Sequence, residues 1–311
     1  MFDYIIRKLT YTALVLLGVL TLVFLLFNIL PADPARIMLD QREDKVQLEK
    51  IKQKYAFDRP INEQYILYLN DLSPVSFHYK DPSSYTYLSH NKYTYVNLFS
   101  FTDFRIVLKY PYLRDSFVQN GVPVTDIISR TFINTFILAL ASIVFALFSG
   151  LFLGIFSALY KNTFIDNIVV FVSVLGISLP SFFSAILIAW FFGFILNSYT
   201  GLEMTGSLFE VDDYGRGYYL EIKNIILPAI TLGIRPLSVV TQLTRSSLIE
   251  TLSMDYIRTA TAKGLKRSVV VVKHALINAL NPVITAISGW FASLLAGAVF
   301  VEYIFGWNGI G

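Results

Sequence analysis

The segment that decides the fold lies near the carboxyl end and reads Ser253-Met254-Asp255-Tyr256-Ile257-Arg258-Thr259-Ala260-Thr261-Ala262-Lys263-Gly264-Leu265. Ser253 is a suitable N-cap, the alanines favour helix, and Gly264 allows the helix to end in a left-handed turn. Residues 266–280 are predicted to be helical again, before Pro282 opens the next helix in its first turn. The sequence therefore predicts a rigid unit of helix, glycine corner and helix. It is too polar to enter lipid and too small to fold alone, so it needs a partner surface.

This unit lies among uncharged runs that are long enough to cross a bilayer. About 20 helical residues span the hydrocarbon core, and such runs occur at 9–32, 131–160, 167–202, 225–243 and 275–301, the fourth interrupted by Arg235. Of the 311 residues, 55% are hydrophobic and only 15% are charged, unlike a typical soluble domain. We therefore predict an all-α polytopic membrane protein with five spans.

Basic residues predict the orientation of these spans. Arg7, Lys8, Lys161 and the basic residues of 245–274 all fall on one side of the predicted spans, whereas the loop 198–222 is mostly acidic. Lysine and arginine in short loops are retained in the cytoplasm. The amino terminus is therefore predicted to be cytoplasmic, and residues 31–130 are predicted to form an extracytoplasmic insertion.

The predicted insertion has two parts that differ in sequence pattern. Residues 43–69 have the spacing of two short amphipathic helices broken at Asp58-Arg59-Pro60, whereas residues 71–112 are rich in tyrosine and phenylalanine. The alternations Tyr85/Tyr87 and Tyr93/Tyr95 predict a small β-hairpin. A self-packed cap is the favoured interpretation, and an aromatic docking face is the alternative.

Composition excludes several kinds of site. The chain has no cysteine, only 3 histidines and a net charge of +3, which argue against a disulfide framework, an imidazole metal cage and nucleic-acid binding, respectively. A phosphate-binding Gly-x-x-x-x-Gly-Lys-Ser/Thr loop is also missing from the sequence. We expect neither a metal nor a cofactor on this chain, and any ATP hydrolysis must occur on another subunit.

The sequence argues against two other classes of membrane protein. An ion-coupled secondary transporter usually buries acidic or histidine relays between its helices, but the five predicted spans contain no Asp or Glu. An intramembrane hydrolase would need His, Asp or a metal motif at membrane depth, and none is present there. The secondary transporter remains the main alternative.

Several motifs of the chain resemble one family closely. They are Thr244-Arg245-Ser246-Ser247-Leu248, the segment 255–265, His274-Ala275-Leu276-Ile277-Asn278-Ala279-Leu280, Phe57-Asp58-Arg59-Pro60 and Leu227-Pro228-Ala229-Ile230-Thr231-Leu232-Gly233. In these motifs the chain resembles the inner-membrane permeases of peptide and nickel ATP-binding-cassette (ABC) importers. Positions 258–260 read Arg-Thr-Ala where the general permease motif has Glu-Ala-Ala, as peptide-type members tend to.

The resemblance implies a type-1 ABC importer transmembrane domain of the six-span family, multi-pass in the cell inner (plasma) membrane. Its cytoplasmic coupling loop, 245–281, would sit in a groove of an ATPase subunit, where ATP and magnesium bind. The implied partners are a second permease subunit, two ATPase subunits and an extracytoplasmic substrate-binding protein; the cargo would be di- or oligopeptides, or nickel. The coupling residues implied by the motif are Asp255, Tyr256, Arg258, Thr259, Ala260, Ala262, Lys263, Gly264 and Leu265.

The expected organisation follows from the spans and the resemblance. Residues 1–30 form the first transmembrane helix, 31–130 the insertion, 131–306 a permease core of four spans, and 307–311 a shortened end. Members of the family continue into a sixth span, so we expect the chain to be incomplete at its carboxyl end.

Arg235, Ser178 and Pro180 are the candidate residues of a translocation path. A charge at the centre of a span costs about 2.5–3.5 kcal/mol, so Arg235 is expected to face a cavity or a partner. It either contacts a peptide carboxylate in the path or makes a structural pairing near a kink, and the pairing is favoured. Pro180 is expected to make a fixed bend in the third span. Gly150 and Gly154 predict close packing between helices.

Overall fold

The structure, a computed structural model, describes residues 2–29, 45–82, 84–89, 92–116, 118–119, 121–212, 215 and 217–311. Contacts between Cα atoms divide the chain into two compact units. We call residues 1–127 the N-terminal unit and residues 128–311 the C-terminal unit.

The N-terminal unit contains three described helices and a small sheet. Its elements are α1 Phe2–Ile29, α2 Lys45–Tyr55, α3 Ile61–Leu72, β1 Val75–Tyr79, β2 Tyr95–Ser100 and β3 Phe104–Lys109. The strands pair antiparallel in the order β1-β3-β2. Helix α1 begins earlier than the predicted run at 9–32, and residues 30–32 of that run lie outside the described residues. The two predicted amphipathic helices are confirmed as α2 and α3, with Pro60 as the N-cap of α3.

The predicted hairpin through Tyr85/Tyr87 and Tyr93/Tyr95 is wrong. The hairpin of this unit joins β2 to β3, and residues 84–89 contain no strand. The hydroxyl groups of Tyr85 and Tyr93 donate to the Asp71 carboxylate at 2.8 and 3.1 Å, so both rings turn toward one buried acid instead of alternating across a strand. This supports the interpretation of the tyrosine-rich segment as a self-packed cap.

Asp71 is the centre of this packing. It is 1% exposed and also accepts a hydrogen bond from Arg114 Nε at 3.0 Å. The ammonium of Lys109 donates to the Asp71 backbone oxygen at 2.5 Å. Burial lowers the pKa of Lys109 to about 8, although the Asp71 carboxylate opposes the shift.

One face of the sheet is apolar and exposed. The register places Val75 and Val96 on either side of Leu108, and all three side chains are exposed, as is Phe77 two residues along β1. The opposite face carries Ser76 and His78, which are buried.

The C-terminal unit begins within helix α4. Its elements are α4 Val124–Leu159, α5 Phe164–Ser178, α6 Ser181–Ile188 with a π-helical continuation Ala189–Ile195, α7 Asn197–Thr200, β4 Phe209–Val211, β5 Tyr218–Leu220, α8 Ile226–Leu252, α9 Asp255–Ala262, α10 Arg267–Val269 with a π-helical continuation Val270–Ala275, α11 Leu276–Ala279, α12 Asn281–Leu295 and α13 Val299–Phe305. Strands β4 and β5 pair antiparallel in a separate two-stranded sheet.

Up to five spans are present, as predicted. Among the described residues, three helical stretches are long and apolar enough to cross a membrane: Phe2–Asn28, Val124–Leu159 and Ile222–Leu252. Two bent pairs bring the number to five if each pair counts as one span. They are Phe164–Ser178 with Ser181–Ile195, and Arg267–Ala279 with Asn281–Leu295.

Two predicted spans differ from continuous helices. The run 167–202 turns by 109° rather than making a simple bend, because Pro180 cannot continue helix α5 and favours an extended conformation at the preceding Leu179. The run 275–301 bends by 52° before α12 and is interrupted again before α13, where Gly297 has φ +91°. Such a positive φ strains any residue with a Cβ.

Helix α8 packs closely on α4, which confirms the predicted glycine contact. A Cβ added at Gly150 would lie 2.8 Å from Val240 Cβ, and one added at Gly154 would lie 2.6 Å from Thr244 Cβ. These distances leave no room for a methyl group. Helix α8 continues through Pro236 without a break.

Candidate functional site

The predicted helix–corner–helix unit is present, with one correction at its start. Helix α9 is capped by Met254 in an extended conformation, not by Ser253. Ser253 instead ends α8, and its hydroxyl donates to the Glu250 backbone oxygen at 2.6 Å. Gly264 has φ +78° and forms the left-handed corner as predicted. The N-cap prediction failed because Ser253 is already part of the last turn of the preceding helix.

Helix α9 is held by its inward face. Ile257 and Ala260 are 5% and 7% exposed and belong to a hydrophobic cluster with Ala158, Leu248, Val270, Ala275 and Ala279. We call this set the anchoring cluster. It combines residues of α4, α8, α9, the segment that follows α10, and α11. The sequence analysis missed Ile257, although its position three residues before Ala260 places both on one helix face.

The other predicted coupling residues form the exposed side of the unit. Asp255, Tyr256, Arg258, Thr259, Ala262, Lys263, Gly264 and Leu265 are all exposed. Arg258 Nη1 lies 3.3 Å from Asp255 Oδ1, a solvent-exposed pair that contributes little to stability. Ala260 is the exception, because it faces the anchoring cluster.

Tyr256 connects the two helices of the unit. Asn278 Nδ2 donates to the Tyr256 hydroxyl at 2.8 Å, and that hydroxyl lies 3.5 Å from the backbone oxygen of His274. Together with the anchoring cluster, these contacts fix α9 against α11. The unit is therefore packed against the rest of the protein and is not a mobile loop. We call residues 255–279 the handle, and we call it docked because α9 packs on the anchoring cluster.

A partly buried ion pair lies near the handle and was not predicted. Arg245 of α8 donates through Nε and Nη2 to both carboxylate oxygens of Asp166, at 2.6 and 2.7 Å. Asp166 is 2% exposed and also accepts hydrogen bonds from Ser157 and from the backbone nitrogen of Asn162. The pair fastens the start of α5 to α8. Two opposite charges at the ends of uncharged runs were the available signal, since the predicted orientation put both on the same side.

The three predicted path residues come together at the break between α5 and α6. Ser178 ends α5 and Pro180 precedes α6. Arg235 Nη2 donates to the backbone oxygen of Leu179, between them, at 3.2 Å. This bond is a structural pairing, because it satisfies a carbonyl group at the end of α5.

A small cavity of about 170 Å³ adjoins this break. Ser181, Ser184, Thr231, Arg235 and Ser293 supply its polar lining. Arg235 Nε is buried and has no hydrogen-bond partner among the described residues. Arg235 as a whole is half-buried and lines the cavity, and a guanidinium with an unused donor has capacity for a further acceptor.

Within the ranges that the structure describes, no group of three or more His, Cys, Asp or Glu residues is placed to hold a metal ion.

Comparisons with known proteins point in one direction. Residues 150–311 match the family described as binding-protein-dependent transport system inner membrane component, and residues 1–83 match the N-terminal domain described for membrane components of the same transport systems.

Individual relatives cover nearly the whole chain. The dipeptide transport system permease protein of Bacillus subtilis (strain 168) is 32% identical over 309 residues, which is 99% of this chain and 83% of the relative. An oligopeptide transport system permease protein of the same organism is 30% identical and is covered to 84%. The glutathione transport system permease protein of Pectobacterium atrosepticum is 32% identical over 311 residues and is covered to 85%.

Proposed function

Because the chain belongs to the family of binding-protein-dependent transport system inner membrane components, we propose that it is the permease subunit of an ABC importer for di- or oligopeptides. The names of its relatives support a peptide cargo, since glutathione is also a short peptide. Nickel is the alternative cargo.

The docked handle is the observation that carries this proposal. An importer needs a cytoplasmic projection that a separate ATPase subunit grips, and a mobile loop would transmit little force to the membrane helices. Helix α9 has a buried inner face at Ile257 and Ala260 and an exposed polar outer face. We propose that Asp255, Tyr256, Arg258, Thr259, Ala262, Lys263, Gly264 and Leu265 meet the ATPase, while Ala260 positions the helix.

The proposed assembly contains this chain, a second permease, two ATPase subunits that bind ATP and Mg²⁺, and an extracytoplasmic substrate-binding protein. The amino terminus and the handle lie in the cytoplasm in this assembly, as the distribution of Arg7, Lys8 and Lys161 favours. The N-terminal unit after α1 is then extracytoplasmic. The proposed function does not make the chain an enzyme.

Arg235 has two roles in this proposal. Its bond to the Leu179 carbonyl supports the sharp turn at Pro180, and its guanidinium group, which lines the adjoining cavity, would bind a substrate carboxylate there. Ser178 and Pro180 flank Leu179 and do not line this cavity, so their proposed role in the path is to form the break beside it. The ion-coupled alternative gains no support from Asp166, because its buried carboxylate is already bound by Arg245.

Because the chain contains no cysteine, a single introduced cysteine is the one thiol of the chain, and its labelling or cross-linking reports the accessibility and neighbours of that position. Thr259→Cys places the probe on the outer face of α9, where the hydroxyl of Thr259 donates to a backbone oxygen four residues earlier. Thr285→Cys is the matched control, since Thr285 is exposed on α12 and makes the same kind of bond. Tyr110→Cys, 79% exposed in the N-terminal unit, reports the opposite side.

We expect Thr259→Cys, and not Thr285→Cys, to cross-link to a co-purified ATPase subunit. A membrane-impermeant maleimide should label Tyr110→Cys in intact cells after outer-membrane permeabilisation and Thr259→Cys only in inverted vesicles. Labelling of Thr259→Cys from the outside, or uptake by the purified chain without an ATPase, would refute the proposal.

A further inference from the structure

A second polar pocket lies entirely within the N-terminal unit, apart from the residues of the proposed path. It has a volume of about 540 Å³, and its lining includes Lys54, Tyr85, Lys92, Tyr112, Asp115 and Asp126. Pockets that bind small ligands usually measure about 300–1,000 Å³ and combine aromatic walls with a few polar groups. The pocket has both features.

Lys92 is the most unusual group in this pocket. Its ammonium lies 4.3, 5.0 and 4.9 Å from the ring centroids of Tyr85, Tyr93 and Tyr112. These contacts stabilise a cation but provide no full counter-charge. Burial lowers the pKa of Lys92, although the Asp71 carboxylate opposes the shift. No described carboxylate makes an ion pair with Lys92 within 4.0 Å, so an acceptor from outside the chain can stabilise its charge.

The same pocket also carries negatively charged side chains. Asp115 accepts hydrogen bonds from Lys54 Nζ at 2.9 Å and from the Tyr55 hydroxyl at 2.6 Å. Burial opposes ionisation of Asp115, but these two hydrogen bonds outweigh it and lower its pKa. Asp115 therefore stays charged, and Asp126 adds a second carboxylate to the lining.

A lining with both signs and tyrosine walls suits a zwitterion of modest size. We propose that this pocket binds a short unmodified peptide, whose terminal carboxylate contacts Lys92 and whose amino group faces the aspartates. The choice of a peptide rests on the proposed function. The carboxylate contact at Lys92 is inferred from the pocket alone, where the Lys92 ammonium contacts only tyrosine rings among the described groups. The pocket would hold substrate outside the membrane before it enters the path.

The test uses the purified full-length chain in detergent, without ATPase or binding protein, and measures binding of dialanine by isothermal calorimetry. Dialanine amide lacks the carboxylate, N-acetyl-dialanine lacks the amine, and inorganic phosphate tests for a general anion site. Lys92→Met removes the proposed contact and Lys92→Arg keeps the charge. Lys80→Met is the control, because the Lys80 ammonium binds the Phe101 backbone oxygen and does not line the pocket.

We expect Lys92→Met to weaken dialanine binding by roughly tenfold or more, which is the effect of losing one charge-assisted hydrogen bond. Lys92→Arg and Lys80→Met should bind nearly as wild type, and both modified peptides should bind more weakly. Equal binding of dialanine and its amide overturns the proposal, even if Lys92→Met fails to fold. Absence of dialanine binding at millimolar concentration, or phosphate binding alone, also overturns it. A failure here leaves the cross-link from Thr259→Cys unaffected, so the two proposals can fail separately.

Discussion

Replacing Ile257 by alanine tests whether the handle works only while docked. Ile257 is 5% exposed and supplies the largest side chain that α9 contributes to the anchoring cluster. Ile→Ala at a packed site costs about 2–5 kcal/mol. Helix α9 has 8 residues and is too short to be stable in isolation. A loss of about 3 kcal/mol shifts the equilibrium between docked and detached α9 roughly a hundredfold toward detachment.

The assay is ATP-dependent peptide uptake by the complete importer in proteoliposomes, with ATP hydrolysis measured in parallel. Ile277→Ala is the matched control, because it is the same substitution at a side chain that is 62% exposed on the neighbouring α11. We expect Ile257→Ala to reduce uptake at least tenfold per ATP hydrolysed, and Ile277→Ala to remain near wild type. Equal uptake by the two variants, with both correctly assembled, would show that a docked α9 is unnecessary and that the reasoning is wrong.

Three further predictions concern stability. Gly154→Ala should destabilise the chain by about 1–3 kcal/mol, because the added methyl group overpacks against α8. Gly289→Ala is the control: its methyl group meets open space on α12, so the change should be neutral or slightly stabilising. Thermal unfolding in detergent compares the two variants. Asp166→Asn should cost about 1–3 kcal/mol because it leaves the half-buried Arg245 guanidinium without its counter-charge, and the same thermal measurement should show partial recovery in a double variant with Arg245→Gln. Raising the pH from about 8 toward 9.5 should stabilise the N-terminal unit, because the folded state then loses the Lys109 proton that the unfolded state retains. Melting curves followed by tyrosine fluorescence measure how the melting temperature rises with pH. Lys109→Met should make that rise smaller.

The sequence predicted the parts of the fold that local rules control. Long uncharged runs identified the spans, and the combination of alanine, Gly264 and Pro282 identified the handle, because each acts through its own backbone geometry. The spacing of Gly150 and Gly154 predicted a close helix contact, because two small residues four positions apart lie on one helix face and let another helix approach.

The remaining features depend on residues far apart in the chain. The hairpin was misplaced because Tyr85 and Tyr93 serve a buried Asp71, and alternation along the sequence does not reveal a shared acid. The Asp166–Arg245 pair connects residues 79 positions apart. Pro180 was recognised as a bend, but the 109° turn also depends on Arg235 of another helix satisfying the freed carbonyl.

Helix α8 connects the handle to the proposed path. Leu248 belongs to the anchoring cluster and Arg235 holds the break beside Pro180, and these positions on one helix are separated by about 20 Å at 1.5 Å per residue. A Cβ added at Gly150 or Gly154 would lie only 2.8 or 2.6 Å from a Cβ of α8, so the two helices are in close contact and α8 cannot slide against α4 without repacking. A displacement of the docked handle in the proposed importer therefore moves α8 together with α4. The break between α5 and α6 lies beside Arg235 of α8, so we expect force on the handle of the proposed importer to reach the proposed path at this break.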